Sequence, residues 1–165
     1  MKHLKIFQNF KQLPYNFWVG FIITIFIFTI SLISIIWTPH DITTLNIQAR
    51  LKLPGDSIYY LGTDHFGRDI ISMLMLGAKT SLFVAFTATF AGIALGVPLG
   101  LLAASKAGHY LDEIIMRGND LIFAFPALVI AILIAAILGP SITNAIIAIG
   151  IFNIPVFARI TRGAA

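Results

Sequence analysis

Four ionisable side chains lie within the nine-residue stretch LGTDHFGRD, residues 61–69, of a chain that is otherwise mostly apolar. Asp64 and Asp69 are residue types that general acid–base catalysis uses in pairs. Together with His65 they are also typical ligands of a divalent metal ion. Taken alone, the stretch has the composition of an enzyme active site or of a metal site.

The same stretch also has the pattern of a turn that leads into a helix. Gly62 and Gly67 free the backbone, and Thr63 or Asp64 can accept a hydrogen bond from an N–H group at a helix start. Arg68 lies four residues after Asp64, within reach of its carboxylate if the stretch is helical. Because the sequence has no second ligand-rich segment, we favour the structural role and expect no catalytic residue, no metal and no cofactor.

Asp120 is a second candidate, because it lies near the start of a long apolar run. A carboxylate inside a membrane is costly unless it is paired, and such residues are therefore functional candidates. As a proton relay, Asp120 would indicate a proton-coupled secondary transporter. The structural alternative, which we favour, is stabilisation of the carboxylate by the helix dipole and by Arg117 one turn away.

The composition indicates a membrane protein. Of the 165 residues, 58% are hydrophobic and only 11% are charged, whereas about a quarter of a soluble domain is charged. The chain has no cysteine, which excludes a disulfide framework and a thiolate metal site. Its net charge of +4 comes from basic residues at the ends of apolar runs, so we expect a lipid bilayer and no nucleic acid as partner.

Four apolar runs are long enough to be compared with the roughly 20 residues that a helix needs to cross a bilayer. The fold class predicted from them is an all-α, polytopic membrane protein. The predicted helices cover residues 17–37, about 80–105, 114–138 and 142–158.

Basic residues near the ends of these runs predict the orientation, since they are more frequent on the cytoplasmic side. Seven lie on one side, namely Lys2, Lys5, Lys11, Lys106, Arg117, Arg159 and Arg162, and four on the other, namely Arg50, Lys52, Arg68 and Lys79. The amino terminus is therefore predicted to be cytoplasmic, with LGTDHFGRD in an outer loop just before the second helix.

The second run carries a stripe of small residues that recurs every four positions: Ala88, Gly92, Gly96 and Gly100. Small residues in this register allow another helix backbone to come close, and close packing of this kind drives helix association in membranes. We therefore predict that the stripe is a helix contact and does not face lipid.

Several ordered motifs resemble a known family: LGTDHFGRDIISMLMLGAKTSL, GVPLGLLAA, MRGNDLIFAFPAL, LGPSITNAIIAIGI and ARITRG. Together they are similar to the inner-membrane permease subunit of bacterial ABC importers for oligopeptides, dipeptides and nickel, in the subgroup with a long first outer loop. The residues that carry this signature are Leu61, Gly62, Thr63, Asp64, Gly67, Arg68, Asp69, Arg117, Asp120, Phe125 and Pro126.

The resemblance implies an ABC type I permease fold in the bacterial inner membrane, forming half of a translocation pathway for peptides or a related small solute such as nickel. It also implies four kinds of interaction partner: a second homologous permease, two cytoplasmic ATPase subunits, an extracytoplasmic substrate-binding protein and the bilayer. ATP hydrolysis would take place on the ATPases, so the chain itself is not expected to be an enzyme.

One departure from the family concerns the cytoplasmic EAA loop that follows the fourth of six spans and contacts the ATPase. The chain stops at Ala165 before such a loop, so we expect four of six spans, a truncated permease and no coupling to ATP. The expected organisation is an amino-terminal tail, anchor helix and outer loop in residues 1–79, and the first part of the transmembrane domain in residues 80–165.

Overall fold

The computed structural model describes residues 14–165, and every regular element in this range is helical. Within it the only strand-like pairing is an isolated bridge between Thr63 and Asp69, so the predicted all-α class is confirmed. The elements are α1 (Tyr15–Ile36), a short 3-10 turn (Ile47–Ala49), α2 (Ile70–Ser105), α3 (Tyr110–Phe123), α4 (Ala127–Leu138) and α5 (Ile142–Ala164). Lys2, Lys5 and Lys11, on which part of the predicted orientation depends, lie outside the described residues.

The chain divides into two compact units, Met1–Leu82 and Phe83–Ala165. The first contains α1, the segment 38–69 and the first turns of α2. The second contains the rest of α2 together with α3, α4 and α5. The two units meet inside α2, which runs without a break from Ile70 to Ser105.

Three helices, α1, α2 and α5, are long and apolar enough to cross a membrane. The pair α3 and α4 passes the same test together, but it is bent by 77° at its junction. Counting the bent pair as one, these helices account for the four predicted spans.

The bend corrects the expectation of one continuous helix over residues 114–138. Pro126 lies between the end of α3 at Phe123 and the start of α4 at Ala127: it has φ −58° and ψ 133°, outside the helical region. Its ring also disfavours helical geometry in the preceding Phe125. The Phe125 N–H bonds to the carbonyl of Ile122, three residues back, which tightens the last turn of α3 before the break.

Three helix ends also lie beyond their predicted positions. α2 begins ten residues earlier than predicted, at Ile70, and includes Lys79. α3 begins at Tyr110 and α5 continues to Ala164, so both include charged residues that hydropathy alone assigns to loops. Charged side chains at the end of a membrane helix reach the interface, and they therefore do not mark where the helix stops.

The interior of the second unit is built from small side chains. Ala88, Ala103, Ala148 and Ala158 are buried, and Pro155 is the largest fully buried residue there. The large apolar side chains lie mostly on the outside of the described chain, and α4 has no buried residue. This distribution is expected in lipid, where helices associate through close packing of small residues and not through burial of large apolar side chains.

Candidate functional site

Asp64 organises a turn in the segment 38–69. One carboxylate oxygen accepts hydrogen bonds from the backbone N–H groups of Phe66 (2.8 Å) and Arg68 (2.9 Å), and the other accepts from Arg68 Nε at 2.8 Å. Burial raises the pKa of Asp64, but the hydrogen bonds from Arg68 and Phe66 outweigh this and lower the pKa to about 2. The pairing that its spacing predicted is present, in a turn rather than in a helix, and the carboxylate is a fixed anion.

The glycines and Thr63 fit this turn closely against residues 46–53. Gly62 and Gly67 have φ of +79° and +77°, and a Cβ on either would collide with the backbone of Lys52 or Asn46. Thr63 Oγ1 accepts a hydrogen bond from the Lys52 N–H at 3.0 Å. The stretch LGTDHFGRD is therefore held to the preceding part of its own loop through backbone contacts.

Asp69 caps α2, which corrects the expectation that Thr63 or Asp64 would do so. Its Oδ2 accepts hydrogen bonds from the Ser72 N–H at 3.0 Å and from Ser72 Oγ at 2.6 Å. Ser72 Oγ in turn accepts from the His40 N–H at 2.9 Å, and His40 Nδ1 lies 3.4 Å from Asp69 Oδ2. Burial raises the pKa of Asp69, but the hydrogen bonds from Ser72 and the nearby His40 ring outweigh it, so the pKa lies below its usual value.

The geometry does not assemble a metal centre from the candidate ligands. Asp64 is bound to Arg68, Asp69 is bound to Ser72, and the His65 ring lies 4.0 Å from the ring of Phe66. Across residues 14–165 there is no group of three or more His, Asp or Glu side chains placed to hold a metal ion. Each ionisable group of the stretch instead has its own partner in the loop or at the helix start.

In the second unit, the glycine stripe of α2 faces α5. A Cβ added at Gly92, Gly96 or Gly100 would lie 2.5 Å from Asn153 Cβ, the Ile154 carbonyl oxygen or the Ala158 carbonyl oxygen, respectively. Ala88 of the same stripe is fully buried. Glycine is therefore required sterically where the two helices approach.

Two ion pairs join α3 to α5. Arg162 makes a two-pronged contact with Asp112, with Nε to Oδ1 at 2.6 Å and Nη2 to Oδ2 at 2.7 Å. Arg159 binds Asp120 and lies over the Phe123 ring, with its Cζ 4.7 Å from the ring centroid. The residues of each pair are 50 and 39 positions apart in sequence.

These pairs correct the expected partner of Asp120. Arg117 binds Glu113, one turn earlier in the same helix, at 2.5 Å. The sequence pattern missed Asp112, Arg159 and Arg162 as interacting residues, because no local spacing relates positions in different helices. Arg162 and Asp112 carried no signal beyond their place at the ends of apolar runs.

Comparison with known proteins agrees with this architecture. Residues 96–165 match the family described as the binding-protein-dependent transport system inner membrane component. The chain is 41% identical over 157 residues to the dipeptide transport system permease protein DppC of Alkalihalophilus pseudofirmus, covering 94% of this chain and 51% of that protein.

Two further relatives show the same pattern. The glutathione transport system permease protein GsiD of Pectobacterium atrosepticum is 40% identical over 125 residues, which is 76% of this chain and 41% of that protein. DppC of Haemophilus influenzae is 40% identical over 148 residues, which is 85% of this chain and 50% of that protein. The chain thus spans about half the length of the curated relatives it matches.

The fold and the comparisons together define a multi-pass membrane transport component. More narrowly, residues 96–165 match the family of inner-membrane components of binding-protein-dependent transport systems.

Proposed function

We propose that the chain is a permease subunit of an ATP-driven importer and forms part of the membrane pathway for a small peptide. The proposal sets aside the expectation of no coupling to ATP, because that expectation depended on where the sequence ends and the chain spans only about half the length of its relatives. The observation that carries the proposal is the similarity to a dipeptide permease over 94% of this chain. The relatives named for dipeptides and glutathione make a short peptide the favoured solute over nickel.

The proposed partners are a second, homologous permease, two cytoplasmic ATPase subunits and an extracytoplasmic substrate-binding protein. Residues 77–80, with the sequence GAKT, resemble the end of a phosphate-binding loop, but they lie inside α2. A phosphate-binding loop needs free backbone N–H groups between a strand and a helix. This supports ATP hydrolysis on separate subunits.

A proton-coupled carrier is less favoured because of the environment of Asp120. A relay carboxylate has to gain and lose a proton within the pathway, whereas Asp120 is paired with Arg159. This pair joins α3 to α5, which gives Asp120 a structural role between two helices.

Uptake of labelled alanyl-alanine by the bacterium, with and without the gene for this chain, tests the function. We expect deletion to abolish the component of uptake that depletion of cellular ATP removes, and re-expression to restore it. Uptake that survives ATP depletion but is lost with a protonophore would instead support the carrier. Unchanged dipeptide and glutathione uptake after deletion would contradict a peptide substrate.

We also propose that the amino terminus is cytoplasmic and that the segment 38–69 faces outward, supported by the count of basic residues. The chain contains no cysteine, so single cysteines at Ser57 and Ser105 report on the two sides without background. We expect an impermeant thiol reagent to label intact cells at position 57 only, with both positions labelled after lysis. Labelling of position 105 alone in intact cells would reverse the topology.

A further inference from the structure

Asp112 connects three parts of the second unit. It is only 4% exposed, and its carboxylate binds the Arg162 guanidinium through two hydrogen bonds. The same carboxylate accepts the Gly108 N–H at 3.1 Å, from the turn between α2 and α3. One side chain therefore joins the α2–α3 turn, the start of α3 and the end of α5.

The last turns of α5 are held from two directions. On one side, Gly96 and Gly100 of α2 leave no room for even a methyl group against the backbone of Ala158. On the other side, Arg159 and Arg162 are bound by acids of α3. No other helix end in the described chain is fixed by both close backbone packing and ion pairs that the structure records between helices.

The two ion pairs also restrict the orientation of α5. The acids are eight residues apart along α3, about 12 Å at 1.5 Å per residue, whereas the bases are three residues apart along α5, about 4.5 Å. The two links therefore converge on α5 from separated points on α3. A single link fixes one distance, but two converging links also fix the angle between the helices.

From this geometry we infer that Asp112 and Arg162, assisted by Asp120 and Arg159, position the cytoplasmic end of α5 for coupling to the ATPase subunits. The inference rests on the proposed function, which places the ATPases on the side of the membrane where α5 ends. Movement at that end reaches α3 directly when the links are intact. When a link is broken, α5 moves without α3, and ATP is hydrolysed without a matching transport step.

The matched variants are Asp112→Asn and Glu113→Gln. Both replace one carboxylate by an amide in the first turn of α3. Glu113 is exposed, and within the described residues its carboxylate binds only Arg117 of the same helix. Asp112→Asn keeps an oxygen that can accept the Gly108 N–H and loses the charge that holds Arg162. The comparison therefore separates the effect of losing the ion pair between α3 and α5 from the effect of losing one negative charge.

The importer is purified with its partner subunits, reconstituted in vesicles with the binding protein, and supplied with labelled alanyl-alanine. The measured quantity is peptide imported per ATP hydrolysed. For Asp112→Asn we expect this ratio to fall about 2- to 30-fold, the range typical of altered coupling between sites, with Glu113→Gln unchanged. The double variant Asp112→Arg with Arg162→Asp restores a link of opposite polarity and should recover part of the ratio.

A second measurement does not depend on transport. Cysteines at Tyr110 and Ile160, which are exposed at 79% and 62%, carry spin labels whose separation reports on the ends of α3 and α5. We expect a narrow distance distribution in the parent and in Glu113→Gln, and a broad one in Asp112→Asn.

The outcomes separate the two proposals. A parent importer that shows no ATP-dependent uptake would overturn the proposed function, and the spin-label distances would then decide whether Asp112 positions α5. An unchanged distance distribution in Asp112→Asn would overturn that positioning role. An active parent with equal import per ATP in Asp112→Asn and Glu113→Gln would overturn the coupling role even if the distances changed.

Discussion

Charged residues form ion pairs in both units, but over very different sequence distances. In the segment 38–69, Lys52 binds Asp56 and Arg68 binds Asp64, each within four residues. In the second unit, the pairs between α3 and α5 join residues 39 and 50 positions apart. The first kind shapes a stretch of backbone, whereas the second kind holds helices together.

The difference follows from what each region lacks. The segment 38–69 has little regular structure, so side chains such as Asp64 satisfy backbone N–H groups that no helix or sheet would satisfy. The helices satisfy their own backbone, but lipid supplies no hydrophobic drive for them to associate. Small-residue contacts and ion pairs between α2, α3 and α5 supply that association instead.

The largest effect is expected at the contact between α2 and α5. Gly96→Leu would place a side chain against the Ile154 carbonyl oxygen and Phe157, and such overpacking costs about 1–3 kcal/mol. Gly77→Leu is the matched control, because Gly77 lies in the same helix with nothing within 4 Å of an added Cβ. We expect the thermal midpoint in detergent to fall for Gly96→Leu only. Equal midpoints would show that α2 and α5 do not depend on this contact.

A smaller effect is expected from steric conflict in the segment 38–69. Gly67→Ala and Gly55→Ala both place a side chain at positive φ, but only at Gly67 does the added Cβ collide with the backbone of Asn46. The shared backbone strain is of order 1 kcal/mol, so the difference between the variants reports the collision. We expect faster protease cleavage within residues 38–69 for Gly67→Ala. If both variants were cleaved at the same rate, the turn would not be packed against residue 46.

Acid should loosen the same segment without a substitution. The pKa values of Asp56 and Asp64 are lowered to about 2 from an ordinary value of 3.8. Because the folded values are the lower ones, these carboxylates stabilise the segment above about pH 4, and this contribution is lost as the pH falls towards 2.

Amide hydrogen exchange at Phe66 and Arg68, whose N–H groups bind Asp64, measures that loss. We expect protection, corrected for intrinsic exchange rates, to decrease between pH 4 and pH 2. In Asp64→Asn the protection should be low throughout and nearly independent of pH. A parent protein with constant protection over this range would contradict the role of the Asp64 carboxylate.

The smallest effect is expected at His65, the residue that most suggested metal chemistry. Its ring contacts the neighbouring ring of Phe66, so His65→Ala should change the free energy of unfolding by no more than about 0.5 kcal/mol, as for most surface substitutions. Elemental analysis of the purified protein supplies the decisive measurement. One equivalent of a divalent metal that disappears in His65→Ala would establish a metal site.

Local features were predictable from sequence to the extent that spacing determines them. The interval from Asp64 to Arg68 correctly indicated an ion pair. Pro126 also indicates a helix break, although the prediction was one continuous helix over residues 114–138. The interval from Asp69 to Ser72 also has the spacing of a helix cap, although the prediction assigned the cap to Thr63 or Asp64. α2 begins ten residues before its predicted start, because the charged Lys79 lies inside the helix and not at its boundary.

Contacts between helices were not predictable in the same way. The pairing of Asp120 with Arg159 depends on how α3 packs against α5, and no single helix encodes it. The glycine stripe predicted that another helix packs against α2, but it did not identify α5 as that helix. Periodicity describes one face of one element, whereas the partner depends on the whole arrangement.

The length of α2 has a consequence for the lipid environment. Its 36 residues span about 54 Å at 1.5 Å per residue, whereas the hydrocarbon core is about 30 Å thick. Placing all of α2 in hydrocarbon would require a tilt of about 56°, since cos 56° is about 30/54, and membrane helices tilt by about 0–40°. Some turns of α2 therefore lie among headgroups or in water, and the first turns, with Ser72 and Lys79, are the most polar. The thickness of the bilayer then determines how much of α2 lies in the hydrocarbon core. Acyl-chain length is therefore a variable to control when the protein is reconstituted.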